Sequence, residues 1–364
     1  SGTINVLLDR IGLVTRYSVI TRLTSSATLL GANQPDALFK VLQNLQVSAG
    51  GLQYAGLPAD AGGFGGTLLH YLNVIDGFGP AGFVHQTIVA PHQTFYPVKF
   101  DLHFGARPRM KDGSDNKFDL TAFVPAGIES SPQMTWTTTA NTILDDIVTL
   151  DSGTMLITAH RVLGTTADIQ AEMAAQGVQD VLDMIKTGAE GILPNPGVTG
   201  LVPSWYGQVQ SPTATFAAYG LELDAQLGGF LKRVSFIVQD ATATRPIRAS
   251  DELTQIRLII PEKGVTILQH DGDVLQCGTP AVSFAVADEA DPLGAGPAGV
   301  AGLYVVDLRQ YGPTQLERIV GLDTRGRQSG YAKWGQTLGT NASGDDIGVL
   351  TERLLTYSGR LSNS

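Results

Sequence analysis

Cysteine is almost missing from this chain of 364 residues, with Cys277 as its one thiol. A lone cysteine closes no intrachain disulfide and cannot build a cysteine zinc site. Its ordinary place is as a small buried hydrophobe. Charged residues are scarce as well, at 16%, and their balance is acidic, with a net charge of -10. Binding to nucleic acid rests on cationic neutralisation of phosphate, and no Lys/Arg cluster offers it, so no sequence-specific nucleic-acid partner is expected. Aromatic residues make up 7% and are dispersed, without the basic-aromatic interleaving that single strands require. No run approaches the roughly 20 apolar residues of a membrane span. No basic segment followed by an apolar one opens the chain, so a signal peptide is not expected. Low charge combined with an ordinary hydrophobic fraction, 43%, excludes a disordered chain. It also suits a protein that buries side surface against other chains, because interface cores are depleted in charge.

Catalytic constellations are missing too. The histidines are His70, His85, His92, His103, His160 and His270, and none forms a His-x-His metal pair. His85 and His92 flank a strand-like run at a spacing that sends them to opposite faces. There is no Gly-x-Ser-x-Gly elbow and no His-Glu-x-x-His helix. The glycine-dense block from Ala49 to Gly82 lacks the Lys-Ser/Thr ending of a phosphate loop, since Thr67-Leu68-Leu69 follows Gly65-Gly66. It reads as long inter-strand loops. Asp112, Ser114 and Asn116 open like a calcium loop, but Lys117 and Phe123 stand where Gly and a bidentate Glu belong, which leaves a β-turn. Asp145-Asp146 and Asp345-Asp346 read as solvated pairs. Asn341-Ala-Ser343 fits a glycosylation acceptor without a secretory signal to support it. No catalytic, cofactor-binding or metal-binding residue is assigned, and no cofactor is expected.

What the sequence has is strands. Runs rich in β-branched residues, bounded by Gly, Pro, Ser and Asp clusters, recur at 11–24, 95–105, 118–124, 133–139 and 154–162. Residues 36–47 fit a helix or a strand equally well. About eight short strands fill the first half, the spacing of a β-sandwich or barrel. The period then changes: Ile169, Met173, Val178, Val181, Leu182 and Ile185 form one helical stripe, capped by Thr166 and stopped at Gly188. A Gly/Pro linker follows. Strands resume over 213–224, 229–238, 251–260, 265–269, 274–277, 282–286 and 303–308, with further runs near 318–322 and 330–338. Ile347, Leu350 and Leu354 suggest a closing amphipathic helix. The expected domains are 1–165, a helix and linker over 166–204, and 205–364.

The two halves repeat each other. Arg16-Tyr-Ser18-Val-Ile20 matches Arg233-Val-Ser235-Phe-Ile237, and Asp36-Ala-Leu38-Phe-Lys-Val41 matches Asp251-Glu-Leu253-Thr-Gln-Ile256. Phe100-Asp101-Leu102 matches Val306-Asp307-Leu308 in the same order, each ahead of an aromatic-Gly (Phe104-Gly105, Tyr311-Gly312) that is one residue out of step. Collinearity points to duplication of one β domain, with a β-bulge in one copy as a cause of the slip. Recurrence of Asp101 and Asp307 marks a structural role, such as accepting backbone N–H groups at a strand end, ahead of acid-base chemistry.

Two tandem β halves, a helix-bearing connection, long Gly/Ala/Pro loops and no catalytic set resemble the double jelly-roll major capsid proteins of icosahedral viruses. These form the tectivirus and adenovirus lineage, which includes membrane-containing bacteriophages. The resemblance covers nearly the whole chain. It implies an all-β protein of two eight-stranded jelly rolls, with a connecting helix and a short C-terminal helix. It also implies a homotrimer of pseudo-hexagonal outline that tiles an icosahedral shell beside neighbouring capsomers. Penton or minor capsid proteins are the further partners implied, with an internal membrane or DNA beneath. The location implied is the virion, after synthesis in host cytoplasm. The alternative is an enzyme, a two-domain cupin-like or glycan-processing β-sandwich, marked by converging His/Glu ligands or paired acids. A carbohydrate-binding module would need an aromatic platform, for which Trp136, Trp205 and Trp334 are the material.

Overall fold

The computed structural model describes residues 3–8, 13–29, 42–49, 52–56, 64–75, 94–95, 99–103, 124–125, 133–138, 148–162, 200–240, 247–248, 252–277, 302–339 and 345–357. The helical stripe at 166–185, the calcium-like turn at 112–123, Asp145-Asp146, Asn341 and the strand expected at 282–286 lie outside the described residues.

The first half carries β1 (Thr3–Leu7), β2 (Leu13–Leu29), β3 (Leu42–Ala49), β4 (Leu52–Gly56) and helix α1 (Phe64–Ile75). Then come β5 (Thr94–Phe95), β6 (Lys99–His103), β7 (Val124–Pro125), β8 (Gln133–Thr138) and β9 (Val148–Val162). The second half carries β10 (Gly200–Gln210), β11 (Phe216–Asp224), β12 (Phe230–Asp240), β13 (Ile247–Arg248), β14 (Leu253–Ile260) and β15 (Val265–Asp271). Helix α2 (Gly272–Cys277), β16 (Leu303–Asp307), helix α3 (Gln315–Val320), β17 (Leu322–Asp323), β18 (Lys333–Leu338) and β19 (Asp345–Tyr357) complete it.

Each half is a sandwich of two antiparallel sheets, and most strands of one half have a counterpart in the other; among the described residues β10 has none in the first half. The order β1-β8-β3-β4 in the first roll returns as β11-β18-β14-β15 in the second. In the other sheet, β2 pairs with β9, β6 and β7, as β12 pairs with β19, β16 and β17. The repeated motif sits on these central strands. Arg16, Ser18 and Ile20 face His160, Thr158 and Leu156, and Arg233, Ser235 and Ile237 face Glu352, Leu350 and Gly348. Tyr17 and Val19 alternate with the motif and are fully buried, as Val234 and Phe236 are in the second roll. Side chains alternate across a strand, so the repeated Arg-x-Ser-x-Ile points away from both cores.

The cores hold the intervening residues. Leu45, Val47, Met134 and Trp136 are buried with Tyr17 and Val19 in the first roll. In the second, Val234, Phe236, Val238, Val306, Trp334, Ile347 and Val349 belong to one cluster, with the rings of Phe236 and Trp334 edge-to-face at 5.6 Å. Matching strands β8 and β18 thus each bury one tryptophan.

Several expectations are corrected. The closing segment is strand β19, not a C-terminal helix: it lies between β10 and β12 and pairs with both. Both of its faces are buried, so the alternation that marks a strand is lost, and Ile347, Leu350 and Leu354 mimic helical spacing. Thr67 to Ile75 is helix, not inter-strand loop. Gly65 and Gly66 in its first turn each cost about 1 kcal/mol of helix propensity, and burial on all sides overrides that local preference. Val274–Cys277 belongs to α2, not to a strand. Near 318–322 the chain is mainly α3, announced by a capping box: Thr314 Oγ1 accepts from the Glu317 N–H at 3.2 Å, and Glu317 Oε2 accepts from the Thr314 N–H at 3.2 Å. Residues 42–49 settle as strand. β10 begins at Gly200, inside the stretch read as linker.

Candidate assembly surface

The structure brings the sequence candidates to separate places. Asp101 and Asp307 lie on matching strands, β6 and β16, but two positions apart: Asp101 faces Ser18, while Asp307 faces Arg233 and so matches His103. The aspartates are therefore not equivalent points of the repeat. Asp307 caps a turn of 3-10 helix over Leu308–Tyr311, accepting from the Arg309 N–H at 3.1 Å and from Arg309 Nε at 2.8 Å. This local turn carries the chain from Asp307 to Tyr311-Gly312, while Phe104-Gly105 of the other copy lies outside the described residues. Burial pushes the Asp307 carboxyl up, but hydrogen bonds from Arg309 and the charges of Arg309 and Arg233 outweigh it and hold the group below its ordinary value. His270 hydrogen-bonds the Tyr311 hydroxyl at 2.5 Å. Burial, helped by the Asp307 charge, pushes the Tyr311 phenol up. Among the described residues, no three His, Cys, Asp or Glu side chains converge as metal ligands. Trp136 and Trp334 are interior, and Trp205 is buried, so they form no exposed platform.

The repeated outward motif makes a surface on each roll, and its two copies differ in what covers them. In the second roll, Arg233, Ser235, Ile237, Leu350 and Glu352 are all 2% exposed or less. The cover is helix α1 of the first roll, which packs on β3 and β6 of its own roll and on β12 and β19 of the other. Its Phe64 ring lies against Gly348, where a Cβ would sit 2.6 Å from Cδ1. Glycine inside a strand often marks such a close approach. Strand β4 also meets β10 across the same junction.

Beneath α1, Arg233 and Glu352 form a two-pronged pair. Nη2 donates to Oε1 at 3.1 Å, and Nε donates to Oε2. Burying two charges is tolerable only with such pairing. In the first roll Arg16 occupies the same place, and His160 replaces the glutamate. Arg16 Nη2 lies 3.1 Å from His160 Nδ1, and Ser18 Oγ lies 2.9 Å from Nε2. Arginine only donates, so a ring nitrogen of His160 accepts from it. This face is half open: Leu156, in the place of Gly348, is 63% exposed. Sequence reasoning missed the surface, although its signal was present, because the residues shared by the two copies are the outward ones.

No known family profile matches the sequence, and no curated protein matches it. Solved structures do. The major capsid protein of Sulfolobus turreted icosahedral virus matches over 98% of this chain and 93% of its own, with TM-score 0.58 and 15% identity. Its counterpart in the atomic structure of that virus gives TM-score 0.61 over 98% of this chain and 87% of that one, again at 15% identity. The quasi-atomic capsid of PBCV-1 virus gives 0.55 at 11% identity, over 97% and 89% of the two chains. In fold, this chain is a double jelly roll, the architecture of these viral capsid proteins.

Proposed function

We propose that this chain is the major capsid protein of an icosahedral virus, a structural subunit and not an enzyme. One observation carries the reading: the likeness to capsid proteins spans both rolls and nearly the full length of both chains. Three chains form a capsomer of pseudo-hexagonal outline, because two similar rolls per chain let three chains present six similar walls. Such capsomers tile the shell with their neighbours and with penton or minor capsid proteins. The protein is made in host cytoplasm and resides in the virion, over DNA or an internal membrane. The units of the repeat are residues 1–165 and the stretch that begins with β10 at Gly200. The 16% charge fits a subunit with large buried sides, and the net charge of -10 keeps the outer wall soluble and unattractive to the genome. Sedimentation of the purified chain tests the reading: a species of three times the 38.4 kDa chain mass is expected. A stable monomer at all concentrations would overturn it.

A further inference from the structure

The contact between the two rolls has a knob and a socket, and each chain carries a second knob and a second socket. The knob in use is α1 with β4: α1 sits on the outer face of β12 and β19, the socket in use, and β4 meets β10 beside it. By strand order, α2 and β15 stand in the second roll where α1 and β4 stand in the first, and α2 packs on β14, β15 and β16. The second socket is the outer face of β2 and β9, built on the same Arg-x-Ser-x-Ile as the first.

Both unused parts are open and carry exposed apolar side chains among polar ones. On the knob side, Val274 of α2 is 59% exposed, and Val265 and Ile267 of β15 are 47% and 38% exposed. On the socket side, Leu156 is 63% exposed, and Thr154 and Thr158 beside it are exposed too. Among the described residues, no strand pairs with the outer edge of β9, whereas β19 has β10. Four of the exposed large hydrophobics among the described residues thus fall on two faces that correspond to the halves of an interface already closed within the chain.

We propose that the outer β2–β9 face is the docking site for α2 and β15 of a second copy of this chain. The occupant is identified by the internal contact: the face that repeats its residues takes the element that repeats the helix. The two faces of the junction are different surfaces, so the contact is head-to-tail and closes into a ring if the rotation allows, or runs on as a filament otherwise. Arg16 and His160 lie in this junction, where Arg233 and Glu352 lie in the internal one. The inference rests on the capsomer reading and names the surface that makes it.

Cysteine cross-linking tests it. In a Cys277→Ser background, Leu156→Cys and Val274→Cys are combined and treated with a short bis-maleimide. Covalent dimers and trimers on a denaturing gel are expected from the double variant, and none from either single variant. Leu156→Asp and Val274→Asp, both at exposed positions, should each sediment as monomer while keeping the unmodified circular dichroism spectrum. If the protein sediments as a trimer but the double variant stays uncrosslinked and Leu156→Asp remains trimeric, the junction lies elsewhere: this inference falls and the capsomer reading stands. A monomeric unmodified chain sinks both.

Discussion

Adding one methyl group at Gly348 should loosen the junction between the rolls. An alanine Cβ there would sit 2.6, 2.7 and 2.9 Å from Cδ1, Cγ and Cβ of Phe64. Carbon atoms rest at about 3.5–4.0 Å, so the ring must retreat by roughly an ångström. Phe64 is 1% exposed, and its neighbours Leu68 and Leu69 are fully buried. The clashing atoms include the root of the side chain, so rotating the ring alone does not clear them and α1 itself must shift. Overpacking of this kind costs about 1–3 kcal/mol. For a unit of one roll's size, each kcal/mol lowers the melting temperature by about 2–4 °C, which sets the expected drop at about 2–12 °C by calorimetry. Phe64→Ala removes Cγ and Cδ1 from the clash, so in the Gly348→Ala background it should cost less than it does alone, with a coupling of about 0.5–3 kcal/mol. An unchanged melt for Gly348→Ala, or strict additivity with Phe64→Ala, would refute the placement of α1 on β19.

Two other predictions concern charge. Glu352→Gln strands a buried arginine and should cost about 3–5 kcal/mol in thermal or urea melts, whereas Arg233→Met with Glu352→Leu should recover most of it; equal losses in both would contradict the pairing. The Asp307 carboxyl is held below its ordinary value, so its contribution is present above about pH 4 and is lost as pH falls through the folded value. Asp307→Asn should therefore lower the urea midpoint at neutral pH and flatten its acid decline, while an acid limb as steep as before would assign that decline to other groups.

The duplication was legible in the sequence because its clearest trace, Arg-x-Ser-x-Ile, falls on the central strand of each roll. The Asp-Leu match was less faithful, pairing the right strands at positions two residues apart. Strands with one solvated face announce themselves by alternation, as Leu221-Glu222-Leu223-Asp224 of β11 does. β19 and α1 were not legible for a shared reason: each is buried on opposite sides because the other roll covers it, and tertiary packing decides what local pattern cannot. The capping box at Thr314 is legible as Thr314-x-x-Glu317 ahead of an apolar run, the signature of a helix start. The outward surface needed the register of the sheets, which one sequence does not contain.

Electron microscopy of the purified protein tests the central claim most directly. The account predicts rings of three chains with six lobes in a near-hexagonal outline, two lobes from each chain. Isolated two-lobed particles at every concentration would contradict it.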